Sequence, residues 1–424
     1  MKLPRPLSLL ILLAAMMLAG TACQRTGPDA NDGPRNVSLF HYFSFSGSFI
    51  GTMEKLAAEF NRRQPGSILT ATPLDHESFK TSIRDDLRLG NTADVYSYWA
   101  GERTQSIIDK LAPIDDALPE EKMKQLFGAS IVKSACTYNG RIYFVPLTQH
   151  YVGFFYNKKI FAEHGLSPPK DWQAFLKAGD TLKARGVVPI ALGSKSRWPA
   201  QFWFDYLLLR TAPIEFRQRL LSGRASFSDP EVIRVFALWG DIIQRGFFNK
   251  NPNEMEFDSG AAMMVRRGEA AMTLMGTWLI GYYNSPEIGW GEETDYGFFA
   301  FPTIDPQLPP VALGPIDGLV VPRQAKNIQG GKAVLKFFAD RNAQEEISRG
   351  TGAIAPGLAV PDAVYSPLQK SIRAEISRAS AWAFNFDLAA PPERAEAGLE
   401  LFAQFLEFPR QYKVLLERTD KRLR

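Results

Sequence analysis

Aromatic residues stand beside hydroxyl and acidic side chains at two places near the start of the chain. The first place holds Tyr42, Phe43 and Ser46, and the second holds Trp99 and Glu102. A ring face can cover the apolar C–H surface of a flat, hydroxylated ligand, while neighbouring polar groups take up its hydroxyls. Both places are therefore candidate parts of a binding site.

The elements around these residues alternate between strand and helix. Apolar runs at 37–40, 68–74 and 94–98 predict three strands, and apolar residues at helical spacing between them predict two helices. This order is typical of a parallel sheet with helices packed on it. Ligands of such sheets bind beyond the carboxyl ends of the strands, and both aromatic groups follow a strand end.

Catalytic motifs match the chain poorly. Ser130 and Lys133 satisfy the Ser-x-x-Lys pattern of penicillin-recognising enzymes, but the Ser-Asp-Asn and Lys-Thr-Gly sequences that complete the signature do not occur. A glycosidase needs two carboxylates about 5 to 9.5 Å apart across a cleft, which adjacency in sequence does not establish. A carbohydrate-active hydrolase is therefore an alternative hypothesis, behind a binding protein. The adjacent acidic residues, in contexts typical of solvated surfaces, are at 85–86, 115–116, 120–121 and 292–293.

Histidine and cysteine spacing predicts neither a metal site nor an internal disulfide. His41 and His150 have no second histidine or cysteine at metal-site spacing, so we assign them hydrogen-bonding or structural roles. Cys136 is the only cysteine after Cys23 and lies among apolar neighbours, as a buried and unreactive thiol does. No metal and no cofactor is predicted.

The N-terminus carries the features of an export signal. Lys2 and Arg5 form a basic start, residues 7–20 form an uncharged and mostly apolar run, and small residues lead to Cys23. The arrangement resembles a bacterial lipoprotein signal, in which the cysteine is lipidated and becomes the first residue of the mature chain. We therefore expect Cys23 to anchor the protein to a membrane of the cell envelope.

Alternatives to lipidation remain open at this stage. Lipoprotein signals usually carry leucine three residues before the cysteine, where this chain has Gly20, so an ordinary secretory signal is one alternative. A membrane-spanning helix is disfavoured because the apolar run is shorter than the roughly 20 residues that a bilayer needs. The predicted boundaries are a signal peptide at 1–22 and a flexible, polar tether at 23–36.

Composition predicts a globular body on that tether. Of 424 residues, 45% are hydrophobic and 22% are charged, as in chains that bury a large core, and the length suggests two domains. The formal net charge is only +4, and two of these charges lie in the signal. Nothing in this charge favours nucleic acid as a partner.

Several segments along the chain resemble one family in order and content. The family is the extracellular solute-binding proteins of ATP-binding-cassette importers, specifically the carbohydrate-binding group that includes maltose-binding protein. Each segment is modest alone, but their order is specific and covers almost the whole body of the protein. The segments are 155–161, 165–172, 189–193, 257–263, 268–278, 297–302 and 314–322.

The resemblance implies an α/β fold of two lobes that close like a hinge on a ligand in the cleft between them. It implies an N-terminal lobe of 37–147 and 296–340 and a C-terminal lobe of 148–295 and 341–424. Such a protein, expected to be a monomer, captures a sugar, in particular an oligosaccharide, and delivers it unchanged to the transmembrane permease subunits. A ligand-sensing lipoprotein that feeds a receptor begins with the same closure and is a further alternative.

The resemblance also ranks the aromatic residues. Trp278 matches the family's ligand-facing tryptophan, and Trp382 falls where relatives bring a late aromatic residue into the cleft. Lys195, Arg197 and Trp198 follow a strand end, and the two cations leave room for an acidic or phosphorylated sugar. The complete predicted set is Tyr42, Phe43, Ser46, Trp99, Glu102, Gln149, Lys195, Arg197, Trp198, Trp278, Asp317 and Trp382. Trp172 and Trp239 are assigned to packing, whereas Trp203 and Tyr206, on a predicted helix near the same strand end, are left open between core packing and the cleft.

Overall fold

The structure is a computed structural model that describes residues 35–44 and 47–424. The predicted signal at 1–22, Cys23 and all but the last two residues of the predicted tether lie outside the described residues, as does Ser46. The strands are β1 (Arg35–His41), β2 (Ser67–Pro73), β3 (Val95–Trp99), β4 (Thr137–Tyr138), β5 (Arg141–Ile142), β6 (Val145–Gln149), β7 (Val152–Asn157), β8 (Val188–Ile190), β9 (Ala270–Gly276), β10 (Tyr296–Phe299), β11 (Val311–Leu313), β12 (Ile316–Val320) and β13 (Ala381–Ala383).

Helices account for most of the remaining chain. The α-helices are α1 (Gly47–Arg63), α2 (His76–Leu89), α3 (Glu102–Gln105), α4 (Glu120–Phe127), α5 (Ala129–Ile131), α6 (Lys158–Glu163), α7 (Trp172–Ala184), α8 (Gln201–Leu209), α9 (Ile214–Leu221), α10 (Pro230–Gln244), α11 (Met263–Arg267), α12 (Trp278–Tyr283), α13 (Ile328–Phe338), α14 (Arg341–Thr351), α15 (Pro367–Arg378), α16 (Phe386–Ala389), α17 (Pro392–Glu407) and α18 (Tyr412–Arg422). Short 3₁₀ turns cover Ile108–Lys110, Trp198–Ala200, Pro252–Glu254, Asp362–Val364 and Pro409–Gln411, and π turns cover Val132–Cys136 and Phe257–Ala262.

The first lobe is built on a mixed sheet with strand order β2-β1-β3-β12-β6. Strands β1, β2 and β3 run parallel, and β12 joins β3 and β6 in antiparallel pairs. The three strands predicted at the start of the chain are confirmed as β1, β2 and β3. All five residues of β3 are buried, as expected of a strand covered on both faces.

The second lobe is built on a sheet with strand order β10-β7-β9-β8. The expectation that the stretch from 296 belongs to the first lobe is wrong for β10. Tyr296 pairs with Asn157 and Phe298 with Phe155 in an antiparallel edge, so the chain returns to the first sheet only at β12. Gly297 permits this edge, because a Cβ there would lie 2.5 Å from the ring of Tyr156.

Two further boundaries differ from the sequence-based expectation. Strand β1 begins at Arg35, within the stretch predicted as tether. Helix α14 was expected in the second lobe, but it packs on α1 of the first lobe, where Lys55 and Glu346 form an ion pair of 2.7 Å. The segment from α16 onwards packs on α8 and α10 and so belongs to the second lobe.

The lobes are joined by three connections, the first through His150, the second through Gly314 and the third through Trp382, and all three meet at Gly314. The backbone N–H of Gly314 donates to Ala383, the indole Nε1 of Trp382 donates to the Gly314 carbonyl at 3.1 Å, and the N–H of His150 donates to Pro315. A Cβ on residue 314 would lie 1.7 Å from the carbonyl oxygen of His150. Glycine is therefore the residue that lets the first and second connections touch.

The core contains aromatic residues that the sequence assigned to packing or left open between packing and the cleft. Trp203, Tyr206 and Trp239 are fully buried, and the Tyr206 hydroxyl donates to the carbonyl of Val152. Cys136 is also fully buried, and burial raises the pKa of its thiol, which fits the prediction of an unreactive cysteine.

Candidate ligand-binding site

A cleft of about 790 Å³ lies between the two lobes. Both lobes contribute aromatic, charged and amide side chains to its lining, which is the composition of a site that binds a polar ligand with apolar faces. The lining residues that carry aromatic rings or ionisable and amide groups are Tyr42, Phe43, Phe49, Asp75, His76, Glu77, Lys80, Trp99, Arg103, His150, Trp198, Gln201, Glu256, Phe257, Asp258, Trp278, Asp317, Asn385 and Asp387.

The first-lobe wall is a stack of rings at the ends of β1 and β3. The rings of Tyr42 and Trp99 are parallel within 12° and their centroids are 4.1 Å apart. The guanidinium of Arg103 lies 5.2 Å from the Trp99 ring centroid, a cation–π distance, and the His76 ring meets Trp99 edge-on. The two strand ends singled out in the sequence therefore form one wall.

The second-lobe wall is formed by Trp198 and Trp278. Their ring centroids are 5.9 Å apart in an edge-to-face arrangement, and Trp278 also meets the ring of His150 edge-on at 5.3 Å. Trp278 begins α12 directly after β9. A Cβ on Gly276 would lie 1.9 Å from the indole of Trp278, so the absence of a side chain at 276 lets the indole fold back over the strand end.

Helix α2 delivers charged groups to the cleft between the two walls, where the ring of His76 lies 6.0 Å from that of Trp198. Asp75 caps the helix by accepting from the N–H of Ser78 at 2.9 Å, and the buried face of the helix anchors it on the sheet. The first turn then presents His76 and Glu77, and Lys80 follows one turn later and pairs with Glu77 at 2.8 Å. Burial lowers the pKa of Lys80 from its ordinary value.

A strap at 384–388, defined here as the residues before and within α16, closes the cleft on the side of α3. Asp205 on α8 holds the strap, since its carboxylate accepts from the N–H of Phe386 at 2.8 Å and pairs with the buried Arg217 at 2.7 Å. Gln201 accepts from the N–H of Asp387, and the Asp387 carboxylate reaches Arg103 of the first lobe at 3.4 Å. The strap thus links the two lobes beside the ligand space.

A buried polar cluster lies where β6, β9 and β12 meet at the connections. His150 Nδ1 is 3.0 Å from the hydroxyl of Thr277 in the second lobe, and its Nε2 is 3.4 Å from Oδ2 of Asp317 in the first. The hydroxyl of Thr148 donates to the same oxygen at 2.9 Å. Burial lowers the pKa of His150 to about 3, so its imidazole is neutral.

Asp317 is the most perturbed carboxyl group of the lining. Burial raises its pKa to about 7, although the hydrogen bond from Thr148 acts in the opposite direction. The hydroxyl of Tyr42 faces Asp317, but neither that hydroxyl nor Oδ1 makes a hydrogen bond of standard geometry. One buried carboxylate oxygen of the cleft is therefore without a full partner.

Six of the residues predicted from the sequence line this cleft: Tyr42, Phe43, Trp99, Trp198, Trp278 and Asp317. Ser46 lies outside the described residues. Glu102, Gln149, Lys195, Arg197 and Trp382 are not in the lining.

The last five residues have other partners or positions. Lys195 pairs with Glu256 at 2.7 Å, and Arg197 pairs with Glu396. Trp382 uses its indole N–H at the connection described above, and the backbone of Gln149 bridges to Ile354. Glu102 starts α3 and lies beside the cleft rather than in it.

The sequence-based set omits several charged or titratable residues of the lining, which are His76, Glu77 and Lys80 of α2, Arg103 of α3 and Asp387 of the strap. The only local signal is the proximity of His76, Lys80 and Arg103 to predicted strand ends. Nothing in the sequence around Asp387 indicates that it meets Arg103, which is 284 residues away.

The described residues lack two features, a cluster of metal ligands and a membrane-spanning helix. Among residues 35–44 and 47–424, no group of three or more His, Cys, Asp or Glu side chains is arranged to hold a metal ion. Within the same residues, no helix combines the length and apolar character that crossing a bilayer requires.

Residues 46–345 match the family of bacterial extracellular solute-binding proteins. This chain belongs to that family. The solute-binding protein is 26% identical over 373 residues to an uncharacterized ABC transporter extracellular-binding protein of Pyrococcus horikoshii, covering 86% of this chain and 81% of that one. It is 21% identical over 365 residues to the multiple sugar-binding protein of Streptococcus mutans, covering 84% and 83% of the two chains.

Solved structures show the same fold. A bacterial solute receptor described as having an exclusive preference for β-D-galactopyranose superposes on this solute-binding protein with a TM-score of 0.85. The match covers 92% of this chain and 99% of that one at 24% sequence identity. The resemblance recognised in the sequence and the two-lobed α/β fold that it implies are confirmed.

Proposed function

We propose that this protein binds a sugar, in particular a short oligosaccharide, in the cleft between its lobes. The observation that carries the proposal is the pair of aromatic walls, Tyr42 with Trp99 and Trp198 with Trp278, with polar groups in the same lining. Ring faces match the apolar faces of sugar rings, and carboxylates, amides and cations match their hydroxyls. The cleft volume falls in the range of about 300–1,000 Å³ of sites for drug-sized ligands, the size class of a short oligosaccharide.

Relatives support the choice of ligand class. The Streptococcus mutans relative is named for binding multiple sugars, and another relative, from Streptomyces coelicolor, is named for binding diacetylchitobiose. The family match, together with a relative named as an ABC transporter extracellular-binding protein, supports transport as the function of the bound complex. The protein closes on its sugar and presents it to the transmembrane subunits of an ABC permease.

The proposed role involves no covalent change to the sugar. Closure brings the walls together around the three connections at Gly314, and release to the permease needs only reopening. The protein is a monomer in this proposal, and a lipid on Cys23 keeps it at the membrane after export. Membrane fractionation of the Cys23→Ser variant tests the anchor, since loss of the lipid would move the protein to the soluble fraction.

Calorimetry with a panel of mono- and oligosaccharides tests the proposal. Trp278→Ala is expected to weaken binding of the best sugar by about fivefold or more, as truncation of a central aromatic residue does. Phe408→Ala is the matched control, because Phe408 is 49% exposed and lies outside the cleft lining. Equal affinities of the wild type and the Trp278 variant, measured on folded protein, would remove the aromatic walls from the site.

A further inference from the structure

The charges in the cleft are unevenly partnered. Among the described lining residues, the lysine and arginine are Lys80 and Arg103, and each faces a carboxylate of the lining, Glu77 at 2.8 Å and Asp387 at 3.4 Å. Each described cation of the lining therefore already faces a carboxylate, and none is in excess for an anionic ligand.

The carboxylates of the lining outnumber its cations. Glu256 is neutralised from outside the lining by Lys195 at 2.7 Å. Asp75, Asp258 and Asp317 have no Lys or Arg partner within ion-pair distance among the described residues, and Asp317 faces a neutral histidine. Asp317 is about half protonated at neutral pH because its pKa is about 7, but Asp75 and Asp258 still leave the lining with a net negative charge after all pairs are counted.

Lys195 and Arg197 do not reverse this balance. In the sequence, these two cations kept an acidic or phosphorylated sugar among the candidate ligands. In the structure, Lys195 pairs with Glu256 and Arg197 with Glu396, and neither cation lines the cleft. A carboxylate or phosphate on a ligand is normally met by unpaired arginine or lysine side chains, because charge-assisted hydrogen bonds compensate its loss of hydration. That compensation is missing here.

We infer that the cleft selects sugars without an anionic group and rejects the corresponding uronic acids and sugar phosphates. The inference rests on the proposed function, since it divides the sugars into those that the same site accepts and those that it excludes. Like charges brought together at a binding surface weaken association strongly. A single added carboxylate is expected to lower affinity by about tenfold or more at low salt.

The experiment compares matched sugars at neutral pH by calorimetry. Each neutral sugar that binds is measured beside its 6-carboxylate and its 6-phosphate, at about 0.02 M and about 0.3 M salt. The expected result is weaker binding of both anionic forms, with a smaller penalty at the higher salt because screening shortens the reach of the charges. Anionic forms that bind as tightly as the neutral sugar, or more tightly, would overturn the inference while leaving sugar binding intact. Failure of every sugar to bind would overturn the proposed function itself.

A charge-matched pair of variants tests the cause. Glu77→Gln leaves Lys80 without its carboxylate, so the ratio of anionic to neutral affinity should rise by about threefold to tenfold. Glu121→Gln is the control. It removes the same charge from a pair with Lys124 on α4, outside the lining. An unchanged ratio in the Glu77 variant, or an equal rise in both variants, would contradict a local origin of the selectivity.

Discussion

A single methyl group at residue 276 should displace the indole of Trp278 from the cleft wall. In the structure a Cβ at this position lies 1.9, 2.3 and 2.4 Å from three atoms of the indole ring. Carbon atoms in contact are about 3.5 Å apart, so Gly276→Ala requires the ring to retreat by more than about 1.5 Å. The indole of Trp278 packs against the rings of His150 and Trp198, so it cannot move by this distance without losing these contacts.

The expected cost of Gly276→Ala has two parts. Overpacking of a filled site should lower the free energy of unfolding by about 1–3 kcal/mol, measured by urea denaturation. Displacement of the indole should weaken sugar binding by about 1–2 kcal/mol, or about five- to thirtyfold, measured by calorimetry.

A matched variant separates the two parts. Gly297→Ala overpacks Tyr156 in the same sheet, with two ring atoms 2.5 and 2.6 Å and the hydroxyl oxygen 2.7 Å from the added Cβ, but it lies outside the cleft lining. It should lose stability and keep its affinity. The double variant of Gly276→Ala with Trp278→Ala should bind as weakly as Trp278→Ala alone, because both changes remove the same ring. Additive losses in the double variant would refute the argument that residue 276 acts through the indole.

Three further changes test the elements that position the cleft. Gly314→Ala places a Cβ 1.7 Å from the carbonyl of His150, so it should disturb the connections and reduce the decrease in radius of gyration on sugar binding, measured by small-angle X-ray scattering. Asp205→Asn leaves the buried Arg217 without its anion, so the free energy of unfolding measured in urea should fall by about 3–5 kcal/mol. The same change loosens the strap and should weaken sugar binding; unchanged affinity would show that the strap does not shape the site. Burial raises the pKa of Asp317 from an ordinary 3.8 to about 7, so its own contribution to stability should fall as pH rises from about 4 to about 7. The stability of the wild type relative to Asp317→Asn should therefore fall across this range and stay level above it; parallel stability curves would contradict the raised pKa.

Local sequence signals predicted the parts of the fold that depend on local chemistry. The apolar runs at the start of the chain became β1, β2 and β3. Strand β10 was misplaced because its sequence specifies an apolar strand but not its neighbour. Only its pairing with β7 decides which sheet it joins.

The candidate site was likewise predicted only where a local feature of the sequence or the family resemblance marked a residue. Trp99 could be placed in the cleft from the sequence because it follows a strand end, and strand ends define the crevice. Trp278 could be placed there because it matches the ligand-facing tryptophan of the family. Lys195 could not be excluded from the cleft, since its pairing with Glu256 depends on how a later turn folds back. The contact between Arg103 and Asp387 likewise forms only when the two lobes and the strap are assembled.

Native mass spectrometry of the folded protein with a panel of neutral oligosaccharides tests the central claim most directly. The account predicts a one-to-one complex whose mass equals that of the protein plus the intact sugar, and the same complex after prolonged incubation. Absence of a complex with every sugar, or the appearance of shortened products, would contradict capture of a sugar without chemical change.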